Sequence, residues 1–416
     1  MDLAHVWLPY SQMQTLPKPI EVVGAEGVRI ALKDGRMLVD GTSSWWAACH
    51  GYSHPYIKAA VKDQLERMPH IMLGGIVHAP MLELTKQLCK ILPGDLNHVF
   101  LSESGSVSVE IAMKMATQFF TNQGDRNKFL FLSFRCGYHG DTFAAMSVGD
   151  PEDGNSRSFA GIVPAQMIVD LPKNRSELAD LEAFVAKNST QLAAVILEPL
   201  VQAAGGMKFH SPMILAGIAE IANRHGVLLI LDEIATGFGR TGTLFACEQA
   251  GIVPDVITLS KALTGGTSPL AATVATDRVY EAFLSESESD ALMHGPTFSG
   301  HPLGCVAAIA SLSLFEMEPR LEQVLRIEAQ LSDGLELCRS IKGVHDVRCK
   351  GAIGVVQLDR VPDLAGLRHR FIQEGVWVRP FGDVVYLMPP LIINEIDLGI
   401  LISAIHRVLS RSSDLL

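Results

Sequence analysis

Six short apolar runs mark the middle of the chain: "HVFLS" near residue 100, "FLFLS" near 131, "LAAVILEPL" near 196, "VLLILDEI" near 230, "DVITLS" near 257 and "LAATVAT" near 272. They are rich in leucine or β-branched residues and carry little polar alternation, the pattern of parallel strands covered on both faces. Helical stretches such as "HPYIKAAVKDQLERM" stand between such runs, so the periodicity predicts an open α/β sheet. Upstream, "VRIALKDGRMLVDG" reads as two alternating runs joined at Asp34-Gly35, a dipeptide favoured in tight turns, and predicts a β-hairpin. Beyond about residue 303 a long helical tract, "PLGCVAAIASLSLFEMEPRLEQVLRIEAQLSDGLELCRSI", leads into shorter strands: "VHDVRCKGAIGVVQL", "GVWVRPF" and "DVVYLMPPLII". The expected plan is an N-terminal arm and hairpin over 1–50, a large α/β domain over 51–303 with a mostly parallel central sheet, and a smaller α+β domain over 304–416. The arm is expected to pack with the small domain.

Composition narrows the function classes. The 416 residues suit two or three units of roughly 150 each. With 34 basic against 45 acidic residues, a formal charge of −11 and no lysine or arginine run, a nucleic-acid partner is not expected. The start "MDLAHVWLPYSQ" lacks the basic and apolar regions of a signal peptide, and no stretch approaches a bilayer span, so a soluble, cytoplasmic protein is expected. Seven cysteines without a C-x-x-C pair read as reduced core residues. His50 and His54 stand four apart, but Gly51 and Pro55 break a helix there and nothing completes a ligand set, so no metal is expected.

Ligands of open α/β sheets collect at the carboxyl ends of the strands, so the residues there carry the functional argument. "VFLSESGSVSVEIAMKMA" runs from strand through Ser104-Gly105-Ser106 into a helix with an apolar stripe of Val107, Ile111, Met115 and Phe119, and with Glu110 and Lys114 expected to pair across one turn. Such a helix start suits a phosphate, although on its own a serine cap with a glycine turn is the better explanation. Asp232 and Glu233 end the most apolar strand, where a carboxylate is costly unless a cation or a helix N-terminus meets it. Lys261 follows Asp232 by 29 residues, enough for a crossover and the next strand. A lysine that can form a Schiff base, a carboxylate for a ring nitrogen and a helix start for a phosphate are together what pyridoxal phosphate requires. Tyr138, in "RCGYHGDTFAAMS", is placed to lie on the ring. Taken singly, each feature also has an ordinary structural explanation.

The motifs "SGSVSVE" (104–110), "GYHGDT" (137–142), "ILEPLVQAAGG" (196–206), "LDEIATGFGRTG" (231–242), "LSKALTGG" (259–266) and "HGPTFSGHPLGC" (294–305) resemble those of the class III, or ω-type, aminotransferases. The resemblance covers essentially the whole chain and implies a fold type I pyridoxal-phosphate transferase. It implies that Lys261, Asp232 and Tyr10 are catalytic. It also implies that Ser104, Gly105, Tyr138, Asp232, Lys261, Pro296 and Thr297 hold pyridoxal 5'-phosphate, Pro296 and Thr297 serving the neighbouring subunit of a homodimer with shared sites. Tyr10, Trp45, Trp46, Tyr138, Lys261, Gly295 and Arg379 are the implied substrate contacts, Arg379 as the carboxylate anchor.

"WLPYSQM" (7–13), "DGTSSWWAACHGYSHP" (40–55), "GPTF" (295–298) and "GVWVRPFGDVVYLMPP" (375–390) resemble, within that family, the subgroup serving biotin synthesis with S-adenosylmethionine as donor and 7-keto-8-aminopelargonate as acceptor. The alternative is another ω-aminotransferase, acting on ornithine, γ-aminobutyrate or a diamine with 2-oxoglutarate. The sequence departs from the subgroup at Leu8, where a histidine is common, and at Ser102-Glu103. If 45–46 is extended, Trp45 and Trp46 point to opposite sides and one of them faces substrate. The Gly265-Gly266 turn is read as backbone kept slim beside the cofactor, and Arg240 as either a cofactor contact or a brace for its turn.

Overall fold

In the computed structural model, which describes residues 3–152, 157–159, 161–361 and 363–412, a ribbon opens the chain. It comprises β1 (Val22–Glu26), β2 (Arg29–Leu32) and β3 (Met37–Asp40), paired antiparallel in sequence. The hairpin joins β2 to β3 through a three-residue loop, 33–35. Leu32 N donates to Arg36 O, and Gly35 takes the left-handed conformation (φ 89°) that such loops need at their last position. Residues 1–2, 153–156, 160, 362 and 413–416, which the expected units 1–50, 51–303 and 304–416 include, lie outside the described residues.

The six apolar runs fold as β4 (Leu96–Ser102), β5 (Leu130–Phe134), β7 (Leu192–Leu197), β10 (Leu228–Asp232), β11 (Val256–Leu259) and β12 (Ala271–Thr276); β6 (Met167–Val169) is a further strand. They form one seven-stranded sheet in the order β4-β12-β11-β10-β7-β5-β6. Its faces are read directly from the alternation. Leu229, Leu231, Val195 and Leu197 enter one buried cluster, while Leu228, Ile230, Ala194 and Ile196 enter another on the opposite side. Fully burying each of these larger side chains contributes about 1.5–3 kcal/mol, which is why the strands tolerate no polar alternation.

One strand departs from the parallel expectation: β12 runs antiparallel to both β11 and β4. Residues 260–270 hold only a short 3-10 turn and leave no room for the helical crossover that a parallel connection needs.

The 302–341 tract is not one helix. Pro319 cannot continue it, and the chain forms Pro302–Met317 and then Arg320–Glu336. The second of these packs against an antiparallel sheet of β13 (Val344–Lys350), β14 (Ile353–Leu358) and β16 (Val384–Leu387). "GVWVRPF" does not join that sheet; its β15 (Val376–Trp377) pairs parallel with β3, tying the N-terminal ribbon to the C-terminal segment. A two-stranded ribbon, β8 (Val201–Gln202) with β9 (Lys208–Phe209), lies beyond β7.

Candidate active site

The parallel strands end on one edge of the large sheet, and the polar residues following them converge there. Asp232 is the last residue of β10 and pairs in register with Thr258 of β11, so Lys261, three residues further on, stands beside it. Tyr138 and His139 follow β5, Glu198 follows β7, and Ser104-Gly105-Ser106 follows β4. A cavity of ≈ 150 Å³ is lined by Gly105, Ser106, His139, Glu198, Asp232 and Lys261, among others.

The helix Gly105–Asn122 starts at this cavity, with Ser104 Oγ accepting a bond from Val107 N at 3.3 Å. A side chain at position 105 would come within 3.0 Å of Ile234, and one at Gly140 would sit 2.2 Å from Ser106 Oγ, so the two glycines keep the helix start open. Unpaired amides at the positive end of an eighteen-residue helix make a suitable cradle for a phosphate. Glu110 and Lys114 do not pair with one another. Glu110 accepts from the amides of Ala144 and Ala145, and Lys114 donates to Met293 O, so both are spent on tertiary contacts.

Asp232 is held on both oxygens: Oδ2 meets His139 Nδ1 at 2.7 Å, and Oδ1 accepts from Ile234 N at 3.1 Å and Thr258 Oγ1 at 3.3 Å. Burial acts to lower the His139 pKa, but the bond to Asp232 and the charges of Asp232 and Glu198 outweigh it and raise it. Glu198 accepts from Tyr138 N at 3.2 Å and Ala203 N at 2.9 Å, and its burial pushes its pKa up to about 7 against the pull of His139.

His139 and Glu198 are the site residues that sequence reasoning missed. Both lie inside motifs already noted, "GYHGDT" and "ILEPLVQ", and the available signal was a titratable residue after the end of a buried strand. Glu233, adjacent to Asp232, points elsewhere: Thr236 Oγ1 at 2.6 Å and Cys247 N at 2.9 Å bond it into the core.

Lys261 is held in the left-handed region (φ 44°) at the start of the 3-10 turn Lys261–Thr264, with Nζ 4.1 Å from the centre of the Trp46 ring. Burial lowers its pKa to about 8, against the opposing pull of Asp232 and Glu198. The Gly265-Gly266 turn that follows keeps its backbone slim for another reason than the one expected. Added side chains there would meet Ile57 and His50 in one case and the Ala47–Ala48 backbone, at 3.0 Å, in the other.

A larger cavity of ≈ 400 Å³ adjoins Lys261, with Tyr10, Trp45, Trp46, Tyr138 and Arg379 in its wall. Tyr138 Oη donates to Asp141 Oδ1 at 3.0 Å, Tyr10 donates to the other oxygen of that carboxylate, and the two phenol oxygens are 3.2 Å apart. Burial first, and then the bond with Tyr10, push the Tyr138 phenol upward.

Trp45 and Trp46 do not diverge as an extended segment requires. Residues 43–46 all have positive φ, from 48° to 74°, and this left-handed turn lets both indoles line the cavity. Trp46 is buried, with Nε1 3.4 Å from Tyr386 Oη, whereas Trp45 is 40% exposed and carries the Arg379 guanidinium 4.9 Å above its ring.

Arg240 lies elsewhere, bracing its turn through Nη1 to Ala352 O and Pro389 O. Gly295, Pro296 and Thr297 are not among the residues lining either cavity.

Comparison with known proteins places this geometry in a family. The sequence profile described as "Aminotransferase class-III" matches residues 10–409. A protein named adenosylmethionine-8-amino-7-oxononanoate aminotransferase from Buchnera aphidicola is 42% identical, over 99% of this chain and 97% of its own. A crystal structure of a protein of that same name, from Methanocaldococcus jannaschii, superposes with a TM-score of 0.91 at 34% identity, covering 98% and 97% of the two chains. An amine transaminase from an uncultivated Pseudomonas species, solved with PLP bound, matches with a TM-score of 0.91 at 30% identity over 98% of both chains.

Proposed function

The chain belongs to the class-III aminotransferases, and from that premise we propose that it moves the amino group of S-adenosylmethionine to 7-keto-8-aminopelargonate. The product is 7,8-diaminopelargonate, an intermediate of biotin biosynthesis, and the cofactor is pyridoxal 5'-phosphate. The observation that carries this reading is the convergence of Lys261, the Asp232–His139 pair and the open helix start at Gly105 on one cavity, beside an aromatic pocket that ends in an arginine.

The residues present fit the cofactor. The amides at Gly105 and Ser106 suit its phosphate, Asp232 its ring nitrogen, Tyr138 a ring face and Lys261 its aldehyde carbon. When bound, the group supplies a carbonyl carbon that takes up an amine and a ring that accepts the electrons released at the substrate.

The protein's own part is to place charges and move protons. His139 fixes the Asp232 carboxylate so that one side of it serves the ring nitrogen. Lys261, with its proton affinity lowered by burial, carries the proton that leaves the substrate α-carbon. Arg379, anchored over Trp45, offers a bidentate fork to the carboxylate that both substrates possess. The Tyr10–Asp141–Tyr138 triangle and the two indoles give flat apolar walls to an alkyl chain or an adenine, and ring faces to a sulfonium. Tyr10 is read as catalytic through its place in this triangle. Gly295, Pro296 and Thr297 are read as reaching the site of a second copy in a cytoplasmic homodimer, which explains their position away from this chain's own cavities.

The test is the visible spectrum of the cofactor-loaded protein. Addition of S-adenosylmethionine should bleach the cofactor's long-wavelength band, and 7-keto-8-aminopelargonate should then restore it. Lys261→Ala should abolish the cycle. A band that S-adenosylmethionine leaves intact, while ornithine or γ-aminobutyrate bleaches it, would overturn the assignment.

A further inference from the structure

Cys136 and Lys208 meet outside the catalytic set. Lys208 Nζ lies 2.8 Å from Cys136 Sγ, which is short for a hydrogen bond to an atom as large as sulfur. Cys49 and Cys89, by contrast, donate to the carbonyls of Ala262 and Asn97.

Both partners of the short contact are held from behind. Cys136 is in the left-handed region (φ 62°), and its amide donates to Asp150 Oδ2 at 2.7 Å. Its carbonyl lies where a side chain on Gly205 would stand, 1.7 Å away, so the two backbones are in close contact. Lys208 opens β9, and the segment just before it is clamped by Arg348, whose guanidinium donates to Gly206 O and Met207 O at 2.9 and 2.8 Å. The two backbones that carry the amine and the thiol are therefore held beside each other, within reach of the short contact. Lys208 is exposed and Cys136 partly buried, so a small oxidant has access.

We infer that Cys136 and Lys208 form a modification site at which dioxygen joins sulfur and nitrogen through a single bridging oxygen. Two single bonds meeting at a bent oxygen span slightly less than the separation seen here, so closure needs little movement. The step balances with dioxygen alone. The lysine ammonium gives one proton to solvent; the S–H bond, one N–H bond and the O–O bond break; S–O and O–N bonds form. The second oxygen atom leaves as water with both hydrogens, sulfur and nitrogen each losing two electrons to dioxygen. This differs from stepwise oxidation of a cysteine, which adds oxygen to sulfur without removing hydrogen from lysine. The bridge would tie the loop leading to Tyr138 and His139 to β9.

The full-length protein, purified without thiols and held in air, should gain the mass of one oxygen less two hydrogens. Proteolysis should then yield one species containing the peptides of both Cys136 and Lys208. Cys136→Ser and Lys208→Arg should each keep the parent mass under the same treatment, and the arginine variant, which preserves the charge and stem, controls for folding. The inference fails if the aired protein keeps its parent mass, or if oxygen is found on Cys136 alone while Lys208 remains open to acylation.

Discussion

His139 Nδ1 lies 2.7 Å from Asp232 Oδ2 with both side chains buried, which makes Asp232 a carboxylate with one oxygen committed to an imidazole. A hydrogen bond to a charged group contributes about 1.5–3 kcal/mol, equivalent to roughly ten- to a hundred-fold in rate or binding. His139→Leu is expected to lower transaminase kcat and cofactor retention by that factor, and His139→Gln to recover part of the loss. Dialysis against buffer, followed by the cofactor's absorbance, measures retention; equal retention in wild type and leucine variant would refute the role.

The depressed Lys261 pKa makes a kinetic prediction. A neutral amine is needed for attack on an aldehyde, so uptake of pyridoxal phosphate by the stripped protein should accelerate with pH up to about 8 and then level off. A solvated lysine would keep accelerating well above that. Stopped-flow absorbance across pH 6 to about 10 distinguishes the two profiles.

Glu233 predicts a pH dependence of stability. Burial raises its pKa to about 7 from an ordinary 4.5, so between these values the folded state holds a proton that the unfolded state has released. Stability from this group is therefore complete below about pH 4.5 and is lost as pH rises through about 7, on the order of 3 kcal/mol in all. Glu233→Gln keeps an acceptor for Cys247 N and turns an amide toward Thr236. Its urea midpoint should gain on that of the wild type between pH 5 and about 8; parallel curves would count against the assignment.

The two tryptophans should separate stability from substrate binding. Trp46 is buried against Lys261 and Tyr386, and Trp46→Ala is expected to cost about 3–5 kcal/mol of stability. Trp45 is half-exposed, so Trp45→Ala should leave the thermal midpoint nearly unchanged while raising KM by losing a wall of the pocket and the support of Arg379. Denaturation curves and initial rates on the two variants provide the comparison.

The sequence by itself determined which segments become sheet, because a strand buried on both faces is apolar at most positions: Leu228–Asp232 is apolar up to its last residue, and Ala271–Thr276 is broken only by threonines. It also placed Asp232 and Lys261 at strand ends, since polar residues adjoining such runs have nowhere else to go. The direction of β12 depended on the length of the 260–270 connection, and the break at Pro319 was present in the letters but outweighed by the apolar repeat around it.

Other features required the tertiary structure. His139 and Glu198 matter only through the distances that bring three strands' ends together, and pairing across a sheet leaves no trace in local periodicity. The shared orientation of Trp45 and Trp46 rests on four successive positive φ angles, a strained turn that the surrounding packing imposes and residue preference would not choose. Local pattern records what each residue must avoid, water or apolar surroundings; which residue it meets is decided when distant segments are packed against one another.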